Sequence, residues 1–168
     1  MIRPAGATDC AAIAAIWNHF IRDTPVTFTS AERTEAGLRA LLAEKDAQGF
    51  GTFVAEMAGD VVGFATYGQF RAGPGYARTM EHTVLLAPDA RGRGLGRGLL
   101  TAVEAHAAAA GAHSILAGVS AANPEGRAFH AALGYREVAV LPQVGHKFGR
   151  WLDLVLMQKF LDPPQMPR

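Results

Sequence analysis

The stretch "TVLLAPDARGRGLGRGLL", residues 83–100, runs from an apolar segment through a break at "PDA" into an octet with three arginines among four glycines. Glycine lets backbone N–H groups come close to a ligand, and arginine adds charge and forked donors. A strand, a basic turn and then a helix aims free N–H groups and a positive dipole at an anion, and phosphate is the natural one. The alternative is an exposed basic turn whose glycines serve flexibility. Two phosphate motifs fail. A Walker loop needs Gly-Lys-Ser/Thr after its glycines, and none is present. A dinucleotide fingerprint needs an acid about 20 residues further on, where "GAHSILAGVS" has no carboxylate.

Outward from this turn the periodicity is readable in both directions. Upstream, "TMEHTVLLA" is a strand, preceded by the loop "RAGPGYA" and by a hairpin of "TFVAEM" and "VVGFATYGQF" about "AGD". Further back, a helix over residues 32–47 carries Leu38, Leu41 and Leu42. Before it, a helix with Thr8 as N-cap aligns Ile13, Ile16, Trp17 and Phe20 on one stripe, after a short strand "IRPA". Downstream, Leu95, Leu99, Val103 and Ala107 recur at helical spacing. The strand "HSILAGV" follows. Asn123, Pro124 and Gly134 then occupy the N-cap, first-turn and stop positions of another helix. Strands near "YREVAVLP" and "WLDLVLMQKF" close the chain. The order β-α-α-β-β-β-α-β-α-β-β predicts a mixed α/β sheet in one domain over residues 1–162, with 163–168 as a tail.

Composition narrows the partners. Of 168 residues, 49% are apolar and 18% charged, and the formal net charge is +1, as in a soluble globular protein without a broad basic surface. Positive charge confined to one turn, without interleaved aromatics, argues against nucleic acid. Nothing approaches the roughly 20 apolar residues of a membrane span, and "MIRPAGATD" has no signal core. The single cysteine, Cys10, cannot form an internal disulfide and reads as a buried small hydrophobe, so a cytoplasmic protein is expected.

The motif Arg-x-x-Gly-x-Gly, here Arg91 to Gly96, in this setting resembles the acetyl-coenzyme A signature of the GNAT acetyltransferases, and the element order is similar to theirs. That resemblance implies the GNAT fold, a mixed and mostly antiparallel sheet splayed at the cofactor site. It also implies acetyl-CoA as co-substrate. Backbone groups near Leu86 would pair with the pantetheine arm, and Arg91, Gly92, Arg93, Gly94, Leu95, Gly96 and Arg97 would hold the pyrophosphate. Asn123 would contact the cofactor besides capping its helix. Further stretches, "IWNHFI", "YGQFR", "FHAALGY" and above all "VGHKFGRWLDL", resemble the phosphinothricin and methionine-sulfone (methionine sulfoximine) acetyltransferases over nearly the whole chain. At position 130 the broader superfamily usually has tyrosine; histidine is what the phosphinothricin-type enzymes show.

Such enzymes acetylate the α-amine of amino acids whose side chains end in a tetrahedral, oxygen-rich group. The amine is mostly protonated near neutrality, so a base must act first. No enzyme nucleophile is required when amine and thioester are held together. The resemblance implies Glu81 as base and His130 as general acid or base near the sulfur. Strand alternation puts Glu81 and Thr83 opposite Met80, His82, Val84 and Leu86, although an edge carboxylate and a surface histidine are the plainer alternatives. Phe28, Arg71, Tyr76 and Arg78 are the expected acceptor-binding residues. Here the chain departs from the family pattern: Ala77 then Arg78 follow "GY", where arginine directly after the aromatic is expected. One residue of offset on a strand reverses the side chain's face. His19, His82, His106, His113 and His146 show no metal-ligand spacing, so no metal is expected. The family's dimerisation through "HKFGRWLDL" implies a homodimer. Two alternatives stay open: acetylation of another small amine, and a coenzyme A-sensing module without turnover.

Overall fold

In the computed structural model, which describes residues 1–161, the elements run β1 (Ile2–Pro4), α1 (Cys10–Asp23), α2 (Glu35–Ala47), β2 (Thr52–Met57), β3 (Asp60–Gln69), β4 (Thr79–Leu86), α3 (Leu95–Ala109), β5 (Ser114–Ser120), α4 (Pro124–Ala132), β6 (Arg136–Lys147) and β7 (Arg150–Phe160). This is the order expected from the sequence. The anticipated tail, 163–168, lies outside the described residues.

Local chemistry explains the boundaries, including three that differ from expectation. Thr8 does not cap α1. A 3-10 turn over Ala7–Asp9 intervenes, and the Asp9 carboxylate accepts from Gly6 N at 2.7 Å and from the Arg3 guanidinium at 2.8 and 2.9 Å. The second helix starts at Glu35 rather than residue 32, because the Thr34 hydroxyl accepts from Gly37 N at 3.0 Å and fixes the N-cap there. Strand β6 does not end at Pro142 but continues to Lys147 past a bulge between Leu141 and Gly145. An edge strand tolerates proline, and the displaced Gln143 N–H donates to Asp153 Oδ1 at 2.8 Å. Asn123 caps α4 as anticipated, its Oδ1 accepting from Gly126 N at 3.0 Å.

The seven strands lie in the order β1-β2-β3-β4-β5-β7-β6, and every neighbouring pair is antiparallel except β4 with β5. That parallel pair is short. It holds only from Thr79 opposite Ser114 to His82 opposite Ala117. Beyond it β4 stays paired with β3 out to Leu86, and β5 with β7 out to Ser120, so the sheet forks between Thr83–Leu86 and Gly118–Ser120. Helices α3 and α4 cover one face with a core including Met80, Leu99, Val103, Ile115 and Tyr135. Helices α1 and α2 cover the other, around Ile13, Trp17, Phe20, Leu38, Phe64 and Leu85. Cys10 is fully buried in this second core.

Candidate active site

Two clefts meet at the fork. The first, about 400 Å³, is lined by Val84, Leu85 and Leu86 of β4, by the 91–97 turn, and by Asn123, Gly126, Phe129 and His130 of α4 and its cap. Gly92 and Gly94 adopt φ of 73° and 76°, the left-handed region, and this curls the turn so that α3 begins facing the cleft. A Cβ on Gly96 would stand 3.2 Å from both Leu86 and Phe129, so glycine there lets the helix end approach. The unpaired edge of β4, the open N-terminus of α3 and an apolar floor form a slot for an extended chain ending in phosphates. Arg91 stands at its mouth, 3.4 Å from Glu125 across the opening.

The second cleft, about 290 Å³, opens on the α1–α2 side of the sheet. Trp17, the loop residues Val26, Thr27, Phe28 and Thr29, and Arg33 form one wall; Glu81, Thr83, Gly118 and Ser120 form the floor. Phe28 packs so closely on Gly145 of β6 that any side chain at 145 would collide with its ring. Glu81 opens to this cleft, yet the surrounding protein desolvates it and holds its pKa above the usual carboxylate range. A Cβ at Gly118 would lie 3.2 Å from Glu81 Oε1, so the bare backbone of β5 leaves the carboxylate its place.

His130, Asn123, Val26, Val84 and Leu85 line both clefts. His130 is buried, and its Nδ1 lies 2.7 Å from Gly126 O, which fixes Nδ1 as the protonated nitrogen and leaves Nε2 a lone pair. Among the described residues nothing hydrogen-bonds that Nε2. Burial depresses its pKa, so the ring is neutral at pH 7 and ready to accept rather than give a proton. His82 stacks on it, ring centres 5.1 Å apart and planes 22° from parallel. His82 is buried and among the described residues has no hydrogen bond at either nitrogen, and desolvation brings its pKa down to about 3. Tyr135 meets both imidazoles edge-on, at 5.6 Å from His82 and 5.2 Å from His130. Its hydroxyl donates to Glu104 of α3 at 3.0 Å, and Glu104 accepts from Lys159 of β7 at 2.7 Å. Two strands and two helices thus hold one imidazole where the clefts join.

Residues 13–135 match the model of the acetyltransferase (GNAT) family. The chain belongs to that family. It is 39% identical to the L-amino acid N-acyltransferase MnaT of Escherichia coli, covering 99% of this chain and 96% of that one. It is equally 39% identical to the L-methionine sulfoximine/L-methionine sulfone acetyltransferase of Pseudomonas aeruginosa, covering 96% and 95%. Among solved structures, yncA of Salmonella typhimurium, determined with its cofactor acetyl-CoA, superposes with a TM-score of 0.94 at 37% identity over 100% of this chain and 97% of that one. A phosphinothricin acetyltransferase of Sinorhizobium meliloti in complex with acetyl-CoA gives 0.91 at 30% identity, over 95% and 87%.

In this GNAT acetyltransferase the residues singled out from sequence divide into two groups. Leu86, Arg91, Gly92, Gly94, Leu95, Gly96, Arg97 and Asn123 all line the first cleft; Arg93 is exposed beside it. Glu81, Phe28 and His130 line the second. Arg71, Tyr76 and Arg78 do not join them. They sit on the exposed β3–β4 connection, before the start of β4, and line neither cleft. Three further residues that line the second cleft are not evident from sequence. His82 has one signal, an inward position on a strand between Met80 and Val84. Trp17 reads only as core. Arg33 stands in a loop without periodicity.

Proposed function

We propose that the protein transfers the acetyl group of acetyl-CoA to the α-amine of a small amino acid, with methionine sulfone, methionine sulfoximine and phosphinothricin as the leading acceptors. The observation that carries this is the meeting of a phosphate-ended slot and a second, carboxylate-floored cleft at His130. The residues fit the cofactor: a forked β ladder with one free edge, a glycine turn at a helix N-terminus, and an unpartnered buried Nε2 where the slot ends. When bound, acetyl-CoA supplies the thioester. Leu86 and its neighbours on β4 would hold the extended arm as a strand would, and the 91–97 N–H groups would hold the pyrophosphate. Glu81, with its raised pKa, takes the proton from the acceptor's ammonium, directly or through water, so that the nitrogen lone pair is free to attack. Once the nitrogen has attacked, His130 Nε2 would take the second amine proton and pass it to the departing thiolate, so that the amide and a free thiol are the products. With both reactants held side by side, orientation alone contributes several kcal/mol, of the order of 7 or more in favourable cases. Direct attack in a ternary complex is the mechanism we favour.

The test is thiol release from acetyl-CoA with a panel of amines, repeated with Glu81→Gln. Saturable turnover on the tetrahedral amino acids, lowered about 100-fold or more in the variant at neutral pH, is expected. A second reading, acetylation of a different small amine by the same machinery, is favoured by one observation: Arg71, Tyr76 and Arg78 stand apart from the acceptor cleft. Turnover confined to another amine on that panel selects it.

A homodimer and a cytoplasmic location complete the proposal. The dimer is supported by the exposed apolar row Val138, Val140, Val144, Phe148 and Trp151 on β6 and its hairpin to β7. Light scattering on the purified protein should give twice the monomer mass of 17.8 kDa. The location rests on the lone buried cysteine; among the described residues no helix is long and apolar enough to cross a membrane.

A further inference from the structure

We infer that Arg33 holds an oxygen group of the acceptor, its α-carboxylate or the phosphinate or sulfone oxygens of its side chain. This deepens the amino-acid reading above and rests on it. Among the described residues lining the acceptor cleft, Arg33 is the one permanent cation and Glu81 the one carboxylate. An α-amino acid carries the complementary pair, an ammonium for Glu81 and an anion for a guanidinium. Arg71, Tyr76 and Arg78 do not line this cleft within one chain, whereas Arg33 does.

Arg33 is built for the role in two ways. Its backbone is clamped by one side chain from α1: Asn18 Oδ1 accepts from Arg33 N at 2.7 Å, and Asn18 Nδ2 donates to Arg33 O at 2.8 Å. Its guanidinium lies over the Trp17 indole, 4.3 Å from Cζ to the ring centre. Stacking uses a face of the planar group and leaves the forked N–H edge free. The neighbouring arginines behave differently. Arg22 pairs with Glu32 at 2.8 Å and Arg39 with Glu35 at 2.6 Å, whereas Arg33 has no carboxylate partner and no side-chain hydrogen bond among the described residues. A cation that is clamped, stacked and unpaired at the wall of a cleft with a single acid on its floor is a receptor for carboxylate, phosphinate or sulfone oxygens.

The test compares the wild type with Arg33→Gln and Arg33→Lys. The acceptors are L-methionine sulfone, its α-carboxamide, and phenethylamine, which lacks both oxygen groups. For methionine sulfone, Arg33→Gln should raise KM about ten- to hundredfold, the range of a charged hydrogen bond, with kcat and the KM for acetyl-CoA little changed. Arg33→Lys should recover part of this, since it restores charge but not the fork. A loss that disappears with the carboxamide identifies the α-carboxylate as the group held; one that persists there identifies the sulfone. Equal losses on all three amines, phenethylamine included, would overturn the assignment, as would no loss on any. A wild type that binds acetyl-CoA yet turns over no amino acid would instead overturn the acceptor class, and the role of Arg33 with it.

Discussion

His82 makes the acid stability of this protein calculable. Its imidazole is neutral in the folded state down to about pH 3, while in the unfolded chain it titrates near the ordinary value of 6.5. The unfolded state therefore binds the extra proton as pH falls, and stability is lost from about pH 6.5 downward toward 3. At about 1.4 kcal/mol per pH unit, and allowing for the shallow start near 6.5, the loss between pH 7 and pH 5 is about 2 kcal/mol from this one ring. His130, also depressed by burial, adds to it in the same direction. Glu81, raised in the fold, opposes it. The perturbation is His82→Phe, which keeps a ring against His130 and Tyr135 but cannot take a proton. Urea unfolding of both proteins, followed by tryptophan fluorescence at pH 7, 6 and 5 and at one protein concentration, gives two stability profiles. Subtracting them removes any constant packing cost of the phenylalanine, along with the terms common to both. The wild type should lose about 2 kcal/mol more than the variant over those two units. Parallel profiles, agreeing within about 0.5 kcal/mol, would refute the claim that His82 is held neutral by burial.

Two other substitutions probe the acceptor cleft. Gly118→Ala should push the Glu81 carboxylate aside by a few tenths of an ångström and lower kcat up to about tenfold while leaving acetyl-CoA binding intact, which steady-state kinetics in both substrates would show. Lys147→Met should raise the acceptor KM and lower stability by roughly 3 kcal/mol. The ammonium donates to Thr24 O at 2.7 Å and Thr27 O at 2.8 Å, tying the cleft-covering loop to β6; melting curves and acceptor titrations check both effects.

The sequence reached different depths in different places, for reasons of locality. Element order was legible because apolar spacing is a local signal, and the cofactor half because its turn, strand end and α4 cap lie within short segments with distinctive glycines. Gly94 and Asn123 can be placed from their immediate neighbours alone. Boundaries failed where a side chain outside the periodic pattern decided them, as Asp9 does for α1 and Asp153 does for the β6 bulge. The acceptor half was harder. His82 owes its character to His130 and Tyr135, residues 48 and 53 positions away, and Arg33 owes its place to Asn18 and Trp17 of the preceding helix. No window on the chain contains those meetings. Resemblance carried the assignment to Glu81 and His130; it also pointed to Arg71, Tyr76 and Arg78, which the fold leaves on an outer connection.

The fork in the sheet has a consequence for how such a protein can diversify. Four residue pairs, Thr79 to His82 with Ser114 to Ala117, form the one ladder among the described residues that joins a wing of β1–β4 to a wing of β5–β7. The residues lining the clefts straddle this narrow join, Glu81 and His82 on one wing, Gly118, Asn123 and His130 on the other. The slot shares strand β4 with the join, so a change on that strand reaches both. The acceptor wall is written mostly in residues 26–33, a loop outside the ladder whose ties to β6 run through Lys147 and Phe28. One wall can drift from amine to amine while the other stays fixed, and a single scaffold thereby supplies many substrate preferences around an unchanging transfer.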